Sequence, residues 1–242
     1  MKLNGEYIMK ILVVSTSVVP IGGLRYGGVE KLVLDFVEQL NKRGHEVSVA
    51  APIGSKVPDG AKLIETVQLP EEQDRDDIVY GEMATKELET YDVIHDFSHG
   101  HQIARRNSDW PVISMLWDPV VNAYPKAPYN MICLSNWQKE RFEKKYNQKA
   151  IVMPMMVNTD KYKPDPNAKR ERFLFLGKIS QEKGVHKAIE YAKELKVPLD
   201  VVGGLIPSEE DSQYLKTIQI MVDRARYQEN HDIQLHYNVT EE

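Results

Sequence analysis

The 242-residue sequence holds a single cysteine, Cys133, which excludes an intramolecular disulfide and fits a reducing compartment. Cys133 lies in the apolar run Met131-Ile132-Cys133-Leu134 and reads as a buried structural thiol. Long hydrophobic runs are missing too. Ile8 to Val14 is interrupted by Lys10, and nothing reaches the roughly 20 apolar residues of a spanning helix, so neither a membrane span nor an export signal is read. Positive charge is not in excess. With 31 basic and 36 acidic residues the net charge is -5 at pH 7, which argues against a nucleic-acid partner. Neither a Walker A loop nor a G-x-G-x-x-G spacing is present. Asn238-Val239-Thr240 has the form of a glycosylation sequon, but nothing else points to secretion, and a cytoplasmic location is expected.

A hydrophobic content of 42% with 28% charged residues is that of a globular protein. Lys10 to Ser15 is a short β-branched apolar run of the kind that forms a buried parallel strand. After a glycine-bearing loop, Val29, Leu32, Val33, Phe36, Val37 and Leu40 share one face of a helix that Gly44 is placed to end. Glu46 to Ala50 returns as a strand, completing a right-handed βαβ unit and making the class α/β with a Rossmann-like parallel sheet. The alternation continues with strands at Leu63 to Val67, Asp92 to His95, Pro111 to Met115 and Asn130 to Leu134. Helices are expected near Tyr80 to Glu89, His101 to Arg106 and Trp137 to Tyr146, and Pro70 to Asp77 reads as a surface loop.

Residues 1–157 are therefore read as one domain and 158–170, with Pro164 and Pro166, as a linker. In 171–242 the rhythm restarts: strand Phe173 to Gly177, a helix with Val185, Ala188, Ile189, Ala192 and Leu195 inward, and strand Pro198 to Val202. A long helix from Glu209 to Tyr227 and a strand from Ile233 to Tyr237 follow. This second piece, about 72 residues, is short of the roughly 100 to 150 of a self-sufficient domain. It reads as a partial Rossmann-like domain, one mononucleotide-binding half with an exposed sheet edge.

In open α/β sheets ligands bind beyond the carboxyl ends of the strands, which selects two loops. In Pro20 to Glu30, glycines precede a helix start, where bare backbone N–H groups and the helix dipole favour an anion; a plain flexible loop fits equally. In Gly177 to Gly184, Lys178 and Lys183 stand at a helix entrance, a poor place for cations unless a polyanion lies between them; two solvated lysines are the alternative.

Gly22-Gly23, Tyr26-Gly27-Gly28-Val29-Glu30, Arg43-Gly44-His45-Glu46-Val47, Tyr91-Asp92-Val93-Ile94-His95, Leu134-Ser135-Asn136-Trp137-Gln138 and Phe175-Leu176-Gly177-Lys178 with Glu182-Lys183-Gly184-Val185 occur in the order seen in one family. In that order and spacing the chain resembles the retaining GT-B glycosyltransferases of family 4. The resemblance implies two facing Rossmann-like domains, a hexosyltransferase-type activity, a UDP-, GDP- or ADP-sugar donor, no cofactor and no metal. The acceptor would be a sugar, a lipid-linked or a small molecule. It implies that Lys178 and Lys183 hold the donor diphosphate and stabilise its departure, and that Gly27 and Gly28 approach it from the other domain. Gly177, Gly203 and Gly204 would line the nucleotide site. His95 is read as orienting the acceptor hydroxyl, with a hydrogen-bonded structural histidine as the equal alternative.

Several positions depart from that pattern. Lys178 stands where arginine is usual, Trp117 and Asp118 replace a loop histidine, and Phe97-Ser98 replace a carboxylate or histidine. The paired glutamates that grip the donor would lie beyond Glu242. The rival expectation is a truncated relative without turnover, acting as a binding or interaction protein. A third reading has a complementing subunit or a second copy cover the sheet edge. A metal site from His95, Asp96, His99 and His101 is disfavoured without cysteine. Lys139, Arg141, Lys144 and Lys145 share a helix with Glu140 and Glu143, a salt-bridged face, with weak peripheral attraction to anionic lipid as the alternative. Trp110, Trp117 and Trp137 are expected to pack, Trp117 being also placed to stack on a sugar.

Overall fold

The computed structural model describes residues 2–3, 6–23, 27–67, 85–106, 109–117, 130–205 and 208–237. The loop read at Pro70 to Asp77, the first turn of the helix read from Tyr80, Asp118 and the sequon all lie outside them. The described chain forms two compact units that divide between Tyr162 and Lys163.

In the first unit, β1 (Lys2–Leu3) and β2 (Glu6–Tyr7) make a small antiparallel ribbon. The main elements are then β3 (Lys10–Val14), α1 (Gly28–Lys42), β4 (Glu46–Pro52), β5 (Lys62–Thr66), α2 (Thr85–Leu88), β6 (Val93–Asp96), α3 (Gln102–Arg106), β7 (Val112–Leu116), β8 (Met131–Cys133), α4 (Asn136–Tyr146) and β9 (Ile151–Val152). Among the described residues the sheet has seven strands, all parallel, in the order β5-β4-β3-β6-β7-β8-β9. Strands β3 to β5 run outward one way and β6 returns to the other side of β3. Strand order therefore reverses between β3 and β6, the place where such sheets open a crevice at their carboxyl ends.

The period of two along β3 explains its unbroken apolar run. Ile11 and Val13 pack with Val33 and Val37 of α1, while Leu12 and Val14 pack on the other face with Leu88, Ile94 and Ile103. Helix α1 ends where Gly44 takes the left-handed conformation at φ 81°. Helix α4 is capped by Ser135, whose hydroxyl accepts the Gln138 N–H, and Phe142 anchors it over Cys133 and Met131. The buried Cys133 thiol is pushed up to about 11, chiefly by burial, and is inert at neutral pH.

The second unit contains β10 (Phe173–Leu176), a 3₁₀ turn at Gln181–Lys183, α5 (Val185–Leu195), β11 (Leu199–Gly203), α6 (Glu209–Tyr227) and β12 (Ile233–Tyr237). Its three parallel strands lie in the order β10-β11-β12. Val185, Ile189 and Ala192 of α5 and Ile218, Val222 and Ala225 of α6 cover Val201 and Ile233. Leu195, expected inward, is 66% exposed, because it closes the helix just before the left-handed cap Lys196. At the amino ends of the strands Arg172 grips Asp200 with two bonds of 2.9 Å and also binds Asp232, a clasp on the far side of the sheet from the loops of interest.

Candidate functional site

At the carboxyl end of β3 the chain passes through Ser15, Thr16 and Ser17, all buried, into the first glycine loop. The Pro20–Gly23 turn is clamped to the loop after β4: Ile21 N–H donates to Ser55 Oγ at 3.1 Å and Lys56 N–H to the Ile21 carbonyl at 2.8 Å. Gly22 has φ 73°, and a Cβ there would sit 2.5 Å from the Lys56 carbonyl oxygen, so the clamp itself requires glycine. The Thr16 hydroxyl donates to the Glu30 carboxylate in the first turn of α1, and a Cβ on Gly27 would meet that carboxylate at 2.6 Å. Gly28 differs. It is exposed, and among the described residues nothing lies within 4 Å of where its Cβ would be.

Across the β3/β6 reversal, His95 is 5% exposed, stacked on Phe97 with ring centroids 4.4 Å apart and met edge-on by Phe36 of α1 at 4.7 Å. Burial lowers its pKa to about 4, so the ring is neutral at pH 7, and its Nε2 has no hydrogen-bond partner among the described residues. Asp96 accepts from the Ser98 N–H at 2.9 Å and hydroxyl at 2.6 Å, and Ser98 Oγ accepts from the His101 N–H at 3.2 Å. His101, fully buried with φ 50°, is lowered to about 3, first by burial and then by His99 and Arg105. Phe97 and Ser98 are thus fully buried at the carboxyl end of β6. Trp117 stacks on Phe97 at 5.7 Å and donates its Nε1–H to the Phe97 carbonyl at 2.8 Å. Among the described residues no group of three or more His, Cys, Asp or Glu could hold a metal ion.

Two motif residues behave differently from expectation. Trp137 is 53% exposed with the Arg141 guanidinium 4.6 Å from its ring centre, a solvent-side pair rather than core packing. The inner place belongs to Gln138, whose amide accepts from Leu134 N–H at 2.7 Å and donates to the Leu116 carbonyl at 3.1 Å. On the same helix Lys139 and Glu143 lie 4.0 Å apart, as the i,i+4 spacing predicts.

In the second unit Gly177, Lys178, Gly203 and Gly204 come together at the carboxyl ends of β10 and β11. Gly177 N–H donates to the Val202 carbonyl at 3.1 Å and Ile179 N–H to the Gly204 carbonyl at 2.9 Å. A Cβ on Gly203 would fall 1.9 Å from the Gly177 carbonyl oxygen, so Gly203 is glycine because the two backbones touch. Lys178 Nζ lies 2.9 Å from Asp211 Oδ2, with the two side chains only 13% and 9% exposed. Lys183 is exposed on the 3₁₀ turn, one residue before Gly184 at φ 74°. The Tyr214 hydroxyl accepts the His186 N–H at 3.1 Å, seating the first turn of α5 against α6. Glu30 stands in the landmark Tyr26-Gly27-Gly28-Val29-Glu30 without a role given to it, and Asp211 stands in no motif. The only trace of Asp211 in the sequence is an acidic residue in the first turn of a helix, a pattern shared by ordinary capped helices.

Residues 26–161 match the family model for Glycosyltransferase Family 4. The chain belongs to glycosyltransferase family 4. No curated protein sequence matches it significantly. Among solved structures this family 4 chain is similar to AviGT4, a glycosyltransferase involved in avilamycin A biosynthesis. The TM-score is 0.62 at 22% identity, over 97% of this chain and 65% of that one. It is also similar to Anabaena Alr3699/HepE in complex with UDP and glucose, with TM-score 0.60 at 16% identity over 95% of this chain and 69% of that one. The catalytic domain of starch synthase IV from Arabidopsis thaliana, bound to ADP and acarbose, gives TM-score 0.58 at 13% identity over 97% and 75%. The fold is that of GT-B glycosyltransferases, and the chain spans about 65% of the length of AviGT4. Among the described residues of this family 4 chain no helix is long and apolar enough to cross a membrane.

Proposed function

We propose that the chain is part of, or is, a glycosyltransferase that moves a sugar from a UDP-, GDP- or ADP-activated donor to an acceptor with retained configuration. The observation that carries this reading is Gly28, at the first turn of α1 beside the β3/β6 reversal, where no packing within 4 Å among the described residues calls for glycine. A residue without a side chain in open space at a helix N-terminus leaves backbone N–H groups accessible to phosphate oxygens. In the second unit Lys178 and the exposed Lys183 flank the loop after β10 and supply the cations that a departing diphosphate requires. Family membership and the nucleotides bound by HepE and starch synthase IV support the same donor class.

His95 serves the acceptor side of this proposal. Its ring is neutral and its Nε2 is buried without a partner among the described residues, so an acceptor hydroxyl admitted beside it would take up that hydrogen bond without meeting a charge. No other cofactor takes part, and catalysis is charge stabilisation of the leaving diphosphate. The test is turnover. The chain is incubated with UDP-, GDP- and ADP-sugars and simple sugar acceptors, and the anomeric proton coupling of any product is read by NMR. A product with the donor's anomeric configuration supports the reading and an inverted one contradicts it. Nucleotide binding without transfer or hydrolysis assigns the chain to the non-catalytic relatives instead.

A further inference from the structure

Lys178 and Asp211 form the most enclosed ion pair described in the second unit, and the pair sits where the donor's leaving group is proposed to bind. Its Nζ–Oδ2 distance is 2.9 Å with side-chain exposures of 13% and 9%. Asp211 lies in the first turn of the 19-residue helix α6, where its N–H is taken by the Ser208 hydroxyl at 3.0 Å and the helix end favours its negative charge. Breaking such a pair leaves an uncompensated charge in a poorly hydrated place, so Lys178 does not swing free of Asp211 when an anion arrives. The anion must share the ammonium with the Asp211 carboxylate, so the cation it meets is partly neutralised.

We propose that Asp211 is a resident counter-ion of Lys178 that lowers the affinity of this site for anions, and lowers it most for the product. This rests on the donor reading above and deepens it. A nucleotide sugar carries two negative charges on its diphosphate, whereas the nucleoside diphosphate left after transfer gains a further terminal ionisation. A fixed carboxylate on the far side of the Lys178 ammonium repels the more highly charged species more strongly, and this favours its departure after each turnover. The C1–O bond to the diphosphate breaks with its electron pair going to the diphosphate oxygen, the acceptor oxygen bonds C1 and its proton is released to solvent, so the extra negative charge arises in the product alone. Asp211 acts through its charge and its hold on Lys178, 2.9 Å away, and is a positioning residue.

The test uses the full chain and calorimetric titration with pyrophosphate, UDP, GDP and ADP, and with the corresponding nucleotide sugars. Asp211→Asn keeps the side-chain shape and an acceptor for Lys178 while removing the charge. It is expected to tighten pyrophosphate and nucleoside diphosphate binding about tenfold and nucleotide-sugar binding about threefold, as expected for a unit charge several ångströms from the anion at an intermediate dielectric. In steady-state assays its kcat falls with a smaller change in KM, and product inhibition strengthens. Lys178→Gln weakens all these ligands, and adding Asp211→Asn to it restores part of the loss, because the carboxylate repels the anion with or without the ammonium. Should Asp211→Asn fail to fold by far-UV dichroism, Asp211→Ser replaces it with the same expectation.

Equal or weaker anion binding by the Asp211 variants overturns the proposal, as does the absence of any tightening when Asp211→Asn is added to Lys178→Gln. So does the absence of binding by any of these anions to wild type and variant alike. Pyrophosphate that binds and tightens while no nucleotide binds leaves the counter-ion in place and removes the donor reading.

Discussion

The two glycine-bearing loops, one in each unit, both follow a parallel strand and precede a helix, yet their glycines exist for opposite reasons. Gly203 is imposed from within, since a Cβ would strike the Gly177 carbonyl oxygen at 1.9 Å. Gly28 is imposed by nothing in the described chain, its side-chain space being open to 4 Å. Gly22 and Gly27 in the same loop side with Gly203, each having a Cβ position already filled by Lys56 or Glu30. A glycine-rich loop is therefore not one signal but several. Only the glycine without an internal reason argues for an external one.

The comparison predicts its largest effect at Gly203. Gly203→Ala is expected to destabilise the second unit by about 3 kcal/mol or more, since backbone must move rather than a flexible side chain. Thermal or urea unfolding followed by far-UV dichroism reads this, and a loss below about 0.5 kcal/mol would remove the contact from the account. Acid acts on the first unit. His95 and His101 have folded pKa values of about 4 and about 3 against an ordinary 6.5, so below pH 6.5 the unfolded chain takes up protons that the folded chain refuses. Stability is complete above pH 6.5 and falls as pH drops toward 4, by up to about 1.4 kcal/mol per pH unit for each histidine. All three tryptophans, Trp110, Trp117 and Trp137, lie in the first unit, so their fluorescence follows it alone. A flat pH profile in that window contradicts the burial of these rings.

Smaller effects fall on binding. Lys183→Ala is expected to weaken nucleoside diphosphate binding by at least roughly 1.5 kcal/mol, the worth of a charge-assisted hydrogen bond, with little change in stability because Lys183 is exposed. Smallest in stability is Gly28→Ala, within about 0.5 kcal/mol of wild type, since alanine has room there and no backbone strain is imposed. The same change is expected to weaken nucleotide binding. Unchanged affinity would return Gly28 to the plain-loop reading.

The β-strands were legible because unbroken β-branched runs such as Lys10 to Val14 carry their own period, and α1 and α6 because their apolar faces repeat at helical spacing. Strand β9 was not, since Ile151–Val152 is a two-residue edge with Ile151 62% exposed. An apolar run also does not say how many faces are covered: Phe175 packs into the core while Leu174 and Leu176 on the same strand are 61% and 73% exposed. Trp137 and Gln138 reversed their hydrophobic ranking because a buried amide that satisfies two backbone groups outweighs the burial of an indole. The site was legible only as candidate loops. Ion pairs such as Lys178–Asp211 join residues far apart in sequence, and single-residue chemistry cannot anticipate them.

The central claim is that the loop after β10, with Lys178 and Lys183, receives the diphosphate of a nucleotide sugar, and the heat of binding of UDP, GDP and ADP to the intact chain tests it most directly. Saturable binding of at least one of the three, weakened by Lys183→Ala, is the predicted result. No measurable binding of any of them to the folded chain would contradict it.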